Sequence, residues 1–184
     1  MTGGVRITAG SLRGRLLAVP PIRGLRPTPA KVRQALFNIL GPVDGMSVLD
    51  LFAGSGLMAL EAISRGAAHA TSIEQHRRAC SHLRQVCEQW SLQERWKLVT
   101  GGVHAALGHL PSKRYDLVFA DPPYEQGFSE SIPVWLDEFG IDCGRLIIEE
   151  SARVSPDWPE GWTAAPPRRY GDTCLHFLER GGVM

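Results

Sequence analysis

A short polar segment, Asp121-Pro122-Pro123-Tyr124, comes directly after the apolar run 115–120. Two consecutive prolines fix φ and remove two backbone donors, so the segment is stiff and its carbonyl groups point in set directions. Asp and Pro are also among the commonest turn residues, and a plain turn after a strand explains these four residues when they are taken alone. A chemical interpretation therefore needs support from the rest of the chain.

The same segment would suit methylation of a planar amine. The lone pair of an exocyclic amine on a base is delocalised into the ring, which makes the nitrogen a poor nucleophile. The Asp121 carboxylate and the Pro122 carbonyl would accept its two N–H groups and turn the lone pair toward an activated methyl group. Tyr124 offers a face on which a flipped or unpaired base can stack, worth ~1–3 kcal/mol per base. Adenine N6, cytosine N4, guanine N2 and a glutamine amide all present the required NH2 group.

A second motif lies earlier in the chain, where the apolar run 48–52 leads into Ala53-Gly54-Ser55-Gly56 and then a helical pattern. A strand, a tight glycine turn and a helix N-terminus in this order are typical of a nucleotide-type pocket. Glycine is needed where the backbone approaches a ligand closely or takes positive φ. Leu57-Met58 stands where a triphosphate-binding loop would have Gly-Lys-Ser or Gly-Lys-Thr, so that class is excluded.

Two ligands remain for the glycine turn. The spacing Gly54-x-Gly56-x-x-Ala59, with Glu74 twenty residues past Gly54, also satisfies a loose dinucleotide pattern, so an NAD(P)-dependent oxidoreductase stays open as an alternative. With S-adenosylmethionine, Glu74 would hold the ribose and Asp50 would face the ammonium group. A carboxylate beside the turn would serve an anionic pyrophosphate poorly, and this difference in charge favours the methyl donor.

Positive charge is concentrated at the start of the chain. Residues 1–43 contain six arginines, one lysine and no acid, whereas residues 44–184 contain 13 basic and 19 acidic residues, although the whole chain has a formal charge of +1. The guanidinium fork binds two phosphate oxygens at once, so this distribution favours a nucleic-acid partner. A non-catalytic RNA-binding module would show the same charge pattern and is a further alternative.

The pattern of apolar runs predicts the elements that would position these motifs. Residues 5–8 and 15–19 predict an N-terminal hairpin, and Thr28 is expected to cap a helix that starts at Pro29. Strands spaced by helices then predict a parallel sheet covered on both faces. The strands are 48–52, 70–73, 96–99, 115–120 and 145–149, the helices 57–65, 76–90, 103–110 and 129–139, and residues 162–165 and 173–178 predict a closing antiparallel hairpin with a turn at 169–172.

Length and composition set further limits. At 184 residues and 43% hydrophobic, the chain has the size of one globular domain, and it has no apolar stretch near the ~20 residues of a membrane helix. Without a signal-peptide pattern, we expect a cytoplasmic protein. The four cysteines form no Cys-x-x-Cys pair and the histidines no His-x-x-x-His pair, so we expect reduced, buried thiols and no metal site.

The glycine turn Asp50-Leu-Phe-Ala-Gly-Ser-Gly56 and the segment Asp121-Pro-Pro-Tyr124 together resemble the class I S-adenosylmethionine-dependent amino methyltransferases. The N-terminal third, with Arg6-Ile7-x-x-Gly10-x-x-Arg13-Gly14-Arg15 and Leu25-Arg26-Pro27-Thr28, is similar to the RsmD family of bacterial ribosomal RNA guanine-N2 methyltransferases. The resemblance covers nearly the whole chain. It implies methylation of guanine 966 of 16S ribosomal RNA in the small ribosomal subunit. A DNA or RNA adenine-N6 methyltransferase is kept as an alternative.

The resemblance also implies a fold and a set of site residues. We predict an α/β, Rossmann-like class I methyltransferase fold: a mainly parallel seven-stranded sheet with an antiparallel C-terminal hairpin. Residues 1–28 would form a basic hairpin extension and residues 29–184 the methyltransferase domain of a monomer. Catalysis falls to Asp121, Pro122, Pro123 and Tyr124; cofactor binding to Arg26, Thr28, Asp50, Phe52, Ala53, Gly54, Gly56, Glu74, Gln75, Gly102 and Val103; and RNA binding to Arg6, Arg13, Arg15, Arg23, Lys31 and Arg33.

Two positions depart from the family pattern. Gln34 stands where the family usually has Glu after Val-Arg. Many relatives carry Asp or Asn near the adenine, whereas this chain has Gly101-Gly102-Val103. We therefore expect backbone groups or water to serve the adenine amine, and the adenosine portion to be held more loosely.

Overall fold

The computed structural model describes residues 4–22, 24–25 and 27–181. Its strands are β1 (Gly4–Arg6), β2 (Leu16–Ala18), β3 (Ser47–Asp50), β4 (His69–Glu74), β5 (Trp96–Thr100), β6 (Arg114–Ala120), β7 (Asp142–Ser151), β8 (Trp162–Ala164), β9 (Arg168–Tyr170) and β10 (Thr173–Arg180). Its helices are α1 (Ala30–Leu40), α2 (Leu57–Ser64), α3 (Arg77–Gln89), α4 (Val103–Leu107) and α5 (Phe128–Glu138). None of the helices in these ranges is long and apolar enough to cross a membrane.

One mixed sheet organises the chain, as predicted. Seven strands follow the order β5-β4-β3-β6-β7-β10-β8, and β9 pairs with β10 outside this path. The five strands β3 to β7 are parallel to one another, whereas β10 runs antiparallel to β7 and β8. The strand order reverses between β3 and β6, so a topological switch point opens at their carboxyl ends, where α/β sheets bind ligands.

The C-terminal part differs in detail from the expected hairpin. The predicted strands at 162–165 and 173–178 exist as β8 and β10 and pair antiparallel. The predicted turn at 169–172 is shorter, because Arg168–Tyr170 forms β9 and pairs with the start of β10. Besides β7 and β8, β10 therefore has a third partner strand, β9.

Apolar side chains fill both faces of the sheet. One core joins the N-terminal hairpin and α1 to α3 with residues such as Phe119 and Ile147. The other joins α4 and α5 with residues such as Val118 and Ile148. Side chains alternate between the faces along a strand, so these two sets mark which face each residue of β6 and β7 occupies. All four cysteines are buried and free, as the sequence predicted.

The start of α1 differs from the expectation. The helix begins at Ala30, with Pro29 preceding it, and no side chain of the described residues caps it. The Pro29 carbonyl accepts the backbone N–H groups of Val32 and Arg33. Thr28 is buried and its carbonyl accepts from the Arg33 guanidinium, so the prediction of a Thr28 side-chain cap is wrong.

Arg33 holds the N-terminal hairpin against the body of the protein. Its guanidinium pairs with Glu61 of α2 at 3.1 Å, and both side chains are fully buried. A second guanidinium nitrogen donates to the Arg6 carbonyl at 2.8 Å, while Glu61 accepts the Thr8 N–H at 2.8 Å. The prediction that Arg33 contacts RNA is therefore wrong, because its charge is neutralised inside the fold.

Candidate active site

Three carboxylates meet at the switch point of the sheet. Asp50 ends β3, Asp121 directly follows β6 and Glu149 lies near the end of β7. Phe119 pairs in register with Asp50 on one side and with Ile147 on the other. Because alternate residues of a strand share a face, the three acids lie on the same side as Phe119.

Asp50 is the most deeply buried of the three. It is 1% exposed, and neither carboxylate oxygen has a hydrogen-bond partner among the residues that the structure describes. Burial, followed by the charge of Glu74, raises the pKa of Asp50 to about 7; the backbone N–H of Ala59 offsets this, although its geometry falls short of a hydrogen bond. A buried, unpartnered carboxylate is costly, which suggests a ligand that supplies positive charge or donors.

The glycine turn has the backbone geometry that its sequence predicts. Gly54 and Gly56 have φ of +52° and +76°, in the left-handed region. A Cβ on Gly56 would lie 2.6 Å from Leu83 Cδ2 and 2.7 Å from Trp96 Cη2, so only glycine fits there. The turn is thus locked against α3 and β5.

Glu74, at the end of β4, is held by the backbone around it. Its Oε2 accepts the Gly54 N–H at 2.8 Å, and its Oε1 accepts the His76 N–H at 2.6 Å. Each carboxylate oxygen can accept a further hydrogen bond. Glu74 is therefore fixed beside the glycine turn with acceptor capacity left for hydroxyl groups.

Five of the remaining cofactor candidates directly follow the carboxyl ends of β3, β4 and β5: Phe52, Ala53, Gln75, Gly102 and Val103. A Cβ on Gly102 would lie 3.7 Å from Gln75 Oε1, which places these two residues side by side. Phe52 packs edge-on against Phe128 at 5.8 Å between ring centroids. Ala53 and Val103 are buried, and Thr28 is buried beneath Arg33. Arg26 lies outside the described residues.

The Asp121 segment extends this edge toward β7. Burial, followed by the charges of Glu149, Asp50 and Glu150, raises the pKa of Asp121 well above its usual range. Pro122 is buried and Pro123 is exposed. The Tyr124 hydroxyl donates to Glu149 Oε1 at 2.9 Å and lies 3.3 Å from Thr173 Oγ1, while the residue as a whole is 36% exposed.

Sequence reasoning missed Glu149. The residue is 3% exposed, and burial raises the pKa of its carboxyl. An acid directly after Leu146-Ile147-Ile148, at the end of the strand beside β6, was an available signal of the same kind as Asp121. In the described part of the chain, no group of three or more His, Cys, Asp or Glu side chains has an arrangement that could hold a metal ion.

The basic residues of the N-terminal part differ in exposure. Arg6, Arg13, Arg15 and Lys31 are exposed, and the Arg15 guanidinium lies 5.3 Å from the centroid of the Trp90 ring. Arg23 lies outside the described residues. The exposed members form a positive surface over the hairpin and the start of α1, from which Arg33 is excluded.

Solved methyltransferases share this fold. A methyltransferase from Pyrococcus furiosus superposes with a TM-score of 0.65 at 18% identity, covering 91% of this chain and 90% of that one, a likeness that shows the fold alone. The solved structure of Escherichia coli yhhF is much more similar, with a TM-score of 0.83 and 33% identity over 97% of this chain and 98% of that one. The fold is that of the α/β methyltransferases.

Sequence comparison narrows the class. The family described as Conserved hypothetical protein 95 matches residues 5–179. Ribosomal RNA small subunit methyltransferase D of Escherichia coli K12 is 34% identical over 97% of this chain and 91% of its own length. The protein of the same name from Haemophilus influenzae is 32% identical over 92% and 90%. The chain belongs to this RsmD family of ribosomal RNA methyltransferases.

Proposed function

We propose that the protein transfers a methyl group from S-adenosylmethionine to the N2 amine of a guanine in 16S ribosomal RNA, at the position of guanine 966. The observation that supports this most is the placement of Asp121 and the glycine turn at one edge of the sheet, on the two strands that flank the switch point. The small-subunit names of the relatives support the RNA substrate.

The residues at this edge fit the methyl donor. Its sulfonium and ammonium groups are positive, and the buried Asp50 carboxylate has no partner among the described residues to compensate its negative charge. Glu74 would accept the ribose hydroxyls while it keeps its bonds to the backbone of the glycine turn. When bound, the donor supplies an electrophilic methyl group.

The Asp121 segment would hold the target amine. The carboxylate and the Pro122 carbonyl accept the two N–H groups, and the exposed side of Tyr124 stacks on the flipped base. Such alignment in a fixed geometry is a large part of catalysis for a transfer of this kind. The product amine loses its proton afterwards, so no strong base is required.

Transfer of tritiated methyl groups to small ribosomal subunits that lack the mark tests the proposal. We expect label with the unchanged protein, a loss of roughly 10²–10³-fold in rate for Asp121→Ala, and a loss of roughly 5- to 150-fold for Tyr124→Ala, with cofactor binding retained in both. Asp116→Ala is the matched control, since it removes an exposed aspartate at the opposite end of the same strand.

Absence of label with the unchanged protein would end the proposal. Loss of cofactor binding in both variants would show that the segment belongs to the cofactor pocket instead. A thermal-shift comparison of S-adenosylmethionine with NADH separates the methyltransferase from an oxidoreductase, because a bound ligand stabilises the folded state.

A further inference from the structure

Glu149 has one carboxylate oxygen engaged and one free. Its Oε1 accepts the Tyr124 hydroxyl at 2.9 Å. Its Oε2 is buried and has no hydrogen-bond partner within the described ranges. The residue as a whole is only 3% exposed, so solvent does not replace the missing partner. A buried acceptor without a donor costs free energy, so a ligand that offers a donor there gains the full benefit of satisfying it.

The position of Glu149 relative to Asp121 follows from the strand register. Ala120 pairs with Ile148 in the parallel β6–β7 ladder, so the next residues of the two strands, Asp121 and Glu149, are neighbours. Neighbouring strands lie about 4.8 Å apart, and paired residues share a face. Two carboxylates at this spacing can contact adjacent groups on one edge of a single base.

Among the common bases, guanine alone has a ring donor, N1–H, directly beside its exocyclic amine, N2–H2. The two carboxylates could therefore accept from two adjacent donor groups of this base. Adenine presents N1, and cytosine N3, as an acceptor beside its amine. In its ionised form the Glu149 carboxylate only accepts hydrogen bonds, so it binds a ring N–H and repels a ring lone pair. Burial raises the pKa of this carboxyl, and the N–H donors of guanine favour the ionised form against that shift. A site that contains such an acceptor rejects a ligand without the donor.

We infer that Glu149 selects guanine, with its Oε2 accepting the N1–H of the base while Asp121 and the Pro122 carbonyl hold N2. This inference rests on the proposed function and deepens it by assigning the residue that specifies the base. Glu149 also fixes the hydroxyl of Tyr124, and the two oxygens thus serve the edge of the base and the ring that stacks on it.

The test compares guanine with 2-aminopurine at the target position of reconstituted small subunits, in single-turnover methyl transfer. 2-Aminopurine keeps the amine but has a lone pair in place of N1–H and a hydrogen in place of O6, so the Glu149→Gln variant below isolates the part of the difference that comes from N1. The unchanged protein should methylate guanine roughly 10- to 100-fold faster, the range that one charge-assisted hydrogen bond supplies. A rate ratio near one with the unchanged protein would overturn the inference, whatever the variants do.

Glu149→Gln sharpens the comparison. The amide oxygen can still accept from Tyr124, but the amide NH2 then faces N1–H, donor against donor, and faces the lone pair of 2-aminopurine favourably. We expect the guanine rate to fall by roughly 10- to 100-fold and the preference for guanine to vanish or invert. Equal slowing of both bases would show that Glu149 has only a structural role.

Two control variants separate the roles of Glu149. Glu150→Gln makes the same chemical change at the next residue of β7, which lies on the opposite face of the sheet, toward α5. There the Glu150 carboxylate accepts a hydrogen bond from the Ser129 hydroxyl at 2.8 Å. Tyr124→Phe removes the hydroxyl but keeps the ring. Both should retain the preference for guanine, and loss of that preference in Tyr124→Phe would mean that Glu149 acts through the tyrosine. No transfer to either base by the unchanged protein would overturn the proposed function together with the inference.

Discussion

The carboxylate of Asp50 should destabilise the free protein at neutral and alkaline pH. Burial raises its pKa from 3.8 to about 7. Between these values the folded state keeps a proton that the unfolded chain has lost, so stability is fully present below about pH 4 and falls as the pH rises to about 7. One pKa unit corresponds to ~1.4 kcal/mol, so the ionised carboxylate costs roughly 4 kcal/mol at pH 8 and under half of that at pH 5.

Asp50→Asn removes this charge at nearly constant size. The new NH2 group is itself buried without a partner, at a cost of ~1–3 kcal/mol, but that cost is the same at every pH. The free energy of unfolding of the variant, relative to the unchanged protein, should therefore rise by roughly 2–3 kcal/mol between pH 5 and pH 8.

Urea denaturation of both proteins without ligand, at pH 5 and pH 8, measures this difference directly. Asp116→Asn is the control, since hydrogen bonds from the Ser47 backbone and hydroxyl hold the pKa of Asp116 below its usual value and both pH values lie above it. We expect no such change for the control. An Asp50→Asn difference that is equal at both pH values would show that Asp50 is solvated or paired in solution, and would refute the argument.

Three further predictions concern other parts of the fold. Gly102→Asp should tighten S-adenosylmethionine binding in calorimetric titration, because the added Cβ makes an ordinary 3.7 Å contact with Gln75 Oε1 and the family pattern has an Asp or Asn near the adenine. Arg33→Gln should destabilise the protein by at most ~3–5 kcal/mol in urea denaturation, since it removes the buried cation from Glu61 and leaves the partly exposed Arg65, at 3.4 Å, as the ion-pair partner among the described residues. Replacing Arg13 and Arg15 by Gln should weaken RNA binding and reduce the slope of log affinity against log salt by about 1–2.

Each of these predictions has an outcome that contradicts it. Unchanged cofactor affinity in Gly102→Asp would count against a loosely held adenosine. Arg145→Gln is the control for the Arg33 variant, because it breaks the exposed pair of Arg145 with Glu179 and should lower the free energy of unfolding by at most ~1 kcal/mol. An equally small decrease in the Arg33 variant would refute the role of the buried pair. Arg114→Gln neutralises an exposed arginine at the start of β6, outside the hairpin, and a slope that falls equally there would show that the hairpin has no special part in RNA binding.

Much of the fold could be predicted because its signals are local. Apolar runs of strand length separated by helical patterns define the parallel sheet, and the order of motifs along the chain then puts residues 50 and 121 at neighbouring strand ends. The family resemblance seen in the sequence covers nearly the whole chain, and the family model matches residues 5–179. The positions of individual site residues follow from this framework and stay predictions until binding is measured.

The errors have a common physical cause. Arg33 reads as one more surface cation, because its partner Glu61 lies 28 residues away on another helix. Thr28 reads as a helix cap, yet its carbonyl is taken by that same buried guanidinium. Glu149 gains its importance only through the hydroxyl of Tyr124 and the register of β6 with β7. Contacts with distant elements decide the cases of Arg33 and Glu149, and the case of Thr28 follows from the burial of Arg33 five residues away; a linear pattern does not contain these contacts.

Identification of the methylated nucleoside tests the central claim most directly. Small-subunit RNA methylated by the protein is digested to nucleosides, and the products are separated and identified by mass spectrometry. The account predicts N2-methylguanosine, formed at one position and absent when Asp121→Ala replaces the unchanged protein. N6-methyladenosine, N4-methylcytidine or a label confined to ribosomal protein would contradict it.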